Sequence, residues 1–97
     1  MRVVTIYLVS VSDHRLKVTV VSEHGERTYR MAPRQRLRDR WFAGTKVLVV
    51  YDLDTGRVLS HRVITIDGSV SILVGGEHSE AAEVAPATEE DELAAAV

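Results

Sequence analysis

The sequence predicts an all-β fold, a small five- to six-stranded barrel of OB-like or SH3-like type. Three observations predict it. Short runs rich in β-branched residues recur along residues 3–74, apolar and polar positions alternate within several of them, and turn-forming residues separate them. Three meandering strands, a short connection and two or three further strands is the order expected of an OB-type barrel. A small sandwich fits the same order. With 97 residues, 45% of them apolar, the chain has enough for one packed core and no room for a second.

The run Val3–Val11 is apolar at both alternating sets of positions, which predicts a strand that is central or covered on both sides. A positive Arg2 followed by apolar residues superficially resembles a short signal peptide. It lacks a small-residue cleavage site and runs into Ser12-Asp13-His14, so it is read as strand and turn. Arg15–Ser22 alternates cleanly, with Leu16, Val18 and Val20 on the inner side. The loop Glu23-His24-Gly25-Glu26 then turns the chain into a third strand, Arg27–Met31.

Residues 33–43 admit two readings. One or two helical turns, with Pro33 at the start and Gly44 as the stop, would put Leu37 and Trp41 on one face; this is the preferred reading. An extended segment would instead point Arg34, Arg36, Arg38 and Arg40 one way and Gln35, Leu37, Asp39 and Trp41 the other. Lys46–Asp52 is a strand, nearly all apolar, and Leu53-Asp54-Thr55-Gly56 is a tight turn into Arg57–Ile66. Asp67-Gly68 carries a strong two-residue hairpin signal and joins that strand to Ser69–Val74. Residues 1–76 are read as the barrel domain.

From residue 77 to residue 97 the composition shifts to Glu, Ala, Ser, Thr and Pro, which predicts a flexible acidic tail. Thr88-Glu89-Glu90-Asp91 resembles a helix N-terminus leading into Leu93 and Val97. Asp91, Leu93 and Val97 are therefore candidate partner-binding positions for a short helix formed on contact.

Charge is divided unevenly. All 12 Lys and Arg and seven of the 14 acids lie in residues 1–76, a balance of +5, and the remaining seven acids lie beyond. Six of the ten arginines fall between Arg27 and Arg40, with Tyr29, Trp41 and Phe42 interleaved. Such asymmetry points to nucleic-acid contact or to an acidic interaction tail. Arg27, Arg30, Arg34, Arg36, Arg38 and Arg40 are the candidate phosphate contacts, and Tyr29 and Trp41 are the candidate stacking residues.

Other chemistry is thinly represented. Asp54-Thr55-Gly56 resembles the signature of retroviral-type aspartic proteases, which would imply a paired carboxylate dyad in a homodimer. Arg57 follows, where a cation would hold the neighbouring carboxylate ionised. Leu73-Val74-Gly75 comes too soon for the family's second element, so the stretch is read as a turn. His14, His24, His61 and His78 show no metal-ligand spacing. The absence of cysteine removes disulfides and thiolate sites. No apolar run approaches the length of a membrane-spanning helix.

The sequence thus leads to a non-catalytic binding protein of the cytoplasm, without metal or cofactor. It would bind single-stranded DNA or RNA through an Arg-rich edge, with the acidic tail competing for the same groove or recruiting a partner. The alternative is a structural or adaptor protein that binds itself or other proteins through apolar strands at 46–52 and 69–74.

Overall fold

The computed structural model describes residues 2–76 with their side chains and residues 83–86 as backbone. These residues form eight strands and no helix: β1 (Val3–Ser10), β2 (Leu16–Ser22), β3 (Gly25–Met31), β4 (Arg36–Phe42), β5 (Gly44–Asp52), β6 (Val58–Ile66), β7 (Val70–Val74) and β8 (Glu83–Pro86). They make two four-stranded sheets, ordered β4-β1-β7-β8 and β3-β2-β5-β6. The expected all-β class holds, but the barrel does not close. Two open sheets share one core, and among the described residues no strand pairs across from one sheet to the other.

Period-2 alternation supplies that core. Val4, Ile6 and Leu8 of β1, Trp41 of β4, and Ile72 and Val74 of β7 face in from the first sheet. Leu16, Val18, Val20, Met31, Leu48, Val50, Ile64 and Ile66 face them from the second. Each fully buried aliphatic side chain contributes roughly 1.5–3 kcal/mol, so this shared layer is the main force pressing the sheets together. β1 has β4 on one side and β7 on the other. On its outer face Tyr7 and Val9 are buried as well, which matches the two apolar faces of this stretch.

The chain changes sheet at several connections, and two of them overturn sequence expectations. Residues 33–43 are extended, not helical: β4 pairs antiparallel with β1 from Val3↔Phe42 to Val9↔Arg36. Pro33 opens a turn instead of a helix. Gln35 N–H donates to the Ala32 carbonyl at 3.2 Å, and Arg34 takes a φ of 60°. Proline second and a positive φ third is the residue pattern of a type II turn. The left-handed Arg34 is held by its N–H to the Ser12 carbonyl and by its Nε to Asp13 Oδ1 at 2.9 Å. Gly44, at φ 132°, then bends the chain so that β4 and β5 run almost continuously into different sheets.

The second correction concerns Asp67-Gly68. β6 lies in one sheet and β7 in the other, so these residues form a crossover and no hairpin. A type I′ turn needs positive φ at both central residues, and Gly68 does not adopt it. β7 pairs in parallel with β1 instead, from Ile6↔Val70 to Ser10↔Val74. Gly75, at φ 85°, closes this end of the core. A Cβ there would lie 2.7 Å from Leu16 Cδ1 and 2.9 Å from Ser12 Cβ, so only glycine fits without displacing the core.

Beyond β7, Glu83–Pro86 pairs antiparallel with it, where the sequence predicts a flexible tail. The tail positions Asp91, Leu93 and Val97 lie outside the described residues. Among the described residues, no helix is long and apolar enough to cross a membrane.

Candidate functional site

β4 is an edge strand, and its alternation sorts the arginine stretch into two sets. Arg36, Arg38 and Arg40 are exposed on the outer face of their sheet, directly across from Val9, Tyr7 and Thr5 of β1. Phe42 continues the same row and is 39% exposed. Strand geometry repeats these side chains every ~6.6 Å, which makes a linear array of three guanidinium groups running toward an aromatic ring.

The other candidates lie elsewhere. Arg30 is on β3 beside Lys17, on the outer face of the opposite sheet. Arg34 is turned into the ion pair with Asp13. The expectation of six arginines along one groove is therefore corrected to three, because the short β3–β4 turn carries the chain from one sheet to the other.

Arg27, Tyr29 and Trp41 face inward and hold the two sheets together at their β3 and β4 edges. Trp41 is 3% exposed, and its Nε1–H donates to the Tyr29 hydroxyl at 2.8 Å. The Tyr29 hydroxyl in turn donates to Asp39 Oδ2. Arg27 Nη1 donates to Asp39 Oδ2 at 3.1 Å and to the Arg40 carbonyl at 2.9 Å. Trp41 offers no free face as a base-stacking platform, and Tyr29 is half-buried with its hydroxyl held in this network. Burial pushes the Asp39 pKa up, but the Tyr29 hydroxyl, the Arg40 N–H and Arg27 outweigh it and hold the carboxyl below its usual range. Burial, and then the bond to Asp39, raise the Tyr29 phenol.

At the opposite end of the sandwich, the fold gathers a group that spacing does not reveal. His14, Asp52 and Asp54 bring ligand-type atoms within 4.8 Å of one another. Each already has protein partners. His14 Nδ1 lies 2.6 Å from Asp52 Oδ2. Asp52 Oδ1 accepts the N–H groups of Asp54 and Thr55, and Asp54 takes the backbone and the guanidinium of Arg15. Asp54-Thr55-Gly56 is thus the β5–β6 turn, with Gly56 at φ 74° and its N–H on the Asp52 carbonyl. The carboxylate of the Asp-Thr-Gly stretch is committed to Arg15.

This cluster makes stability depend on pH. The bond to Asp52 raises the His14 pKa above 6.5. Burial pushes Asp52 up, but His14 and the two turn N–H groups outweigh it and hold it below 3.8. His14 binds its proton more tightly when folded. Its contribution is complete below pH 6.5 and is lost as pH rises through the raised value, whereas that of Asp52 is lost only as pH falls through its depressed one. Thermal unfolding of the full chain should show Tm falling from about pH 6 to about pH 8, and His14→Gln should flatten that slope. An unchanged slope in the variant would exclude the pair as its source.

A third feature lies where the β2–β3 turn meets the end of β4. A pocket of about 100 Å³ opens there, lined by His24, Glu26, Arg27, Trp41, Phe42 and Lys46 among others. His24 and Phe42 meet in its lining, with ring centroids 4.8 Å apart and planes tilted by 53°. The sequence marked Lys46 only as the start of an apolar strand; its place in the inward-facing set with Leu48 and Val50 was the available signal. No protein-family model matches the chain, and no curated protein is significantly similar to it, so function has to be argued from this geometry.

Proposed function

We propose that this protein is a non-catalytic binding module for single-stranded nucleic acid, which it holds by its phosphates along β4. The observation that carries this reading is the row Arg36, Arg38, Arg40 on one exposed face of an edge strand. Guanidinium groups pair with phosphate through charge-assisted hydrogen bonds, and a strand lying along β4 would meet them in sequence. Residues 1–76 carry +5, so the surrounding field favours a polyanion. Charges on an edge strand also discourage pairing with other chains, and that role alone would leave no affinity for nucleic acid. A fluorescence titration with short single strands separates the two. The binding reading requires an affinity that falls about 20-fold between 50 and 200 mM salt for three phosphate contacts, and no association at low salt would refute it.

The outer face of the other sheet favours a second reading, self-association. Val21, Val47 and Val63 stand in register across β2, β5 and β6. Val63 is 65% exposed, Val58 55% and Val21 40%. Edge-to-edge pairing through strand 69–74 is not open to such an interface, since β7 lies between β1 and β8. A second copy covering the valine row predicts a dimer by light scattering that Val63→Lys converts to monomer. A monomeric parent protein would dismiss it.

A further inference from the structure

Lys46 is the unusual residue of the pocket beside Phe42. It is 3% exposed and faces inward on β5, with Leu48 and Val50 next on the same face. Lysine is almost never buried this fully unless paired, because a desolvated ammonium is costly. Among the described residues, Lys46 has no hydrogen-bond or ion-pair partner, and no fully buried side-chain nitrogen or oxygen is left unsatisfied. The ammonium therefore keeps its contact with solvent through the pocket that Lys46 lines.

The rest of the lining defines what would replace that water. Arg27 brings further nitrogen donors, while the lining His24 is paired through Nε2 with Glu23 at 3.3 Å and the one acid in the lining, Glu26, is exposed. The Arg27 bonds to Asp39 and to the Arg40 carbonyl both use Nη1, and a guanidinium carries five N–H donors. The pocket, about 100 Å³ and open to solvent, has room for a phosphate group. Phe42 lines the pocket and also ends the row of Arg36, Arg38 and Arg40, so the two surfaces are continuous.

We propose that the pocket receives a phosphomonoester, the terminal phosphate of a strand lying along β4, with Lys46 and Arg27 as its charged contacts. The inference rests on the nucleic-acid reading for the source of the phosphate, while the chemistry of the pocket stands on Lys46. His24 and Phe42 form the rim, where the last nucleotide would lie.

The experiment compares one oligonucleotide with hydroxyl ends, with a 5′-phosphate and with a 3′-phosphate, and inorganic phosphate alone, on the full chain. One phosphorylated form should bind about tenfold more tightly than the hydroxyl-ended strand. Lys46→Met, of similar length and apolar, should abolish that difference while leaving the hydroxyl-ended strand bound as before. Glu26→Gln, an exposed change that does not threaten folding, should enlarge the difference. Binding of the oligonucleotide that ignores both terminal phosphates would overturn the pocket and leave the arginine row standing. Inorganic phosphate raising Tm in the parent but not in Lys46→Met, with no oligonucleotide bound, would establish a free-phosphate site and overturn the strand-end assignment.

Discussion

Replacing Arg36, Arg38 and Arg40 together by glutamine is expected to weaken single-strand binding on the order of 10- to 100-fold at low salt, and to lower the salt slope by about 2. Each phosphate contact on a single strand adds about 0.7 to that slope, so three lost contacts remove most of the dependence. All three side chains are exposed on the outer face of β4, and glutamine keeps a polar side chain on the edge. The fold should therefore survive with a similar Tm. Arg30→Gln, compared with Arg38→Gln alone, serves as the charge-matched control, since Arg30 lies on β3 in the opposite sheet. An equal loss from Arg30→Gln and Arg38→Gln would mean that net charge, and no particular surface, attracts the ligand. A triple variant that binds as the parent does would remove β4 from the site.

Much of the fold is legible in the residues because most strands follow from local pattern. Alternation in Leu16-Lys17-Val18-Thr19-Val20 and the apolar run in Val3–Val11 mark strands whose bounds lie close to those expected. What local pattern does not carry is the partner of each strand. Asp67-Gly68 has hairpin residues, yet Val70–Val74 gains more by lying beside β1, where Ile72 and Val74 join the core. The same gap affected Arg36–Phe42. Leu37 and Trp41 share a face in a helix as well as in a strand, so spacing alone could not decide. The pairing of Trp41 with Val4 decided it.

The candidate site was legible in part for the same reason. The extended alternative places Arg36, Arg38 and Arg40 together, and this is their arrangement in the fold. Arg27, Tyr29 and Trp41 are near them in sequence but face the core. Lys46 and His24 reach the pocket from other strands and turns, a juxtaposition that only the tertiary fold creates.

Asp39→Ala is expected to destabilise the protein by about 2–3 kcal/mol, the largest loss foreseen for a single polar side chain here. The estimate follows from hydrogen bonds to a charged acceptor, each worth about 1.5–3 kcal/mol, reduced because the site is partly exposed. β3 and β4 are edge strands of different sheets with no backbone ladder between them. Asp39 bridges that opening by accepting from Tyr29 and Arg27, while Trp41 holds the Tyr29 hydroxyl from behind. Removing the carboxylate leaves a half-buried phenol and a guanidinium without their shared acceptor. Asp39→Asn retains an acceptor oxygen and should cost less. Tyr29→Phe and Asp39→Ala should be non-additive in a double-mutant cycle, because one network contains both. Since the Asp39 pKa is depressed in the fold, its contribution is present above about pH 4 and is lost as pH falls through the depressed value. Denaturant unfolding of the parent and the three variants at neutral and acid pH measures all of this. Additive losses that persist unchanged in acid would show that the sheets are held at this edge by Trp41 packing alone.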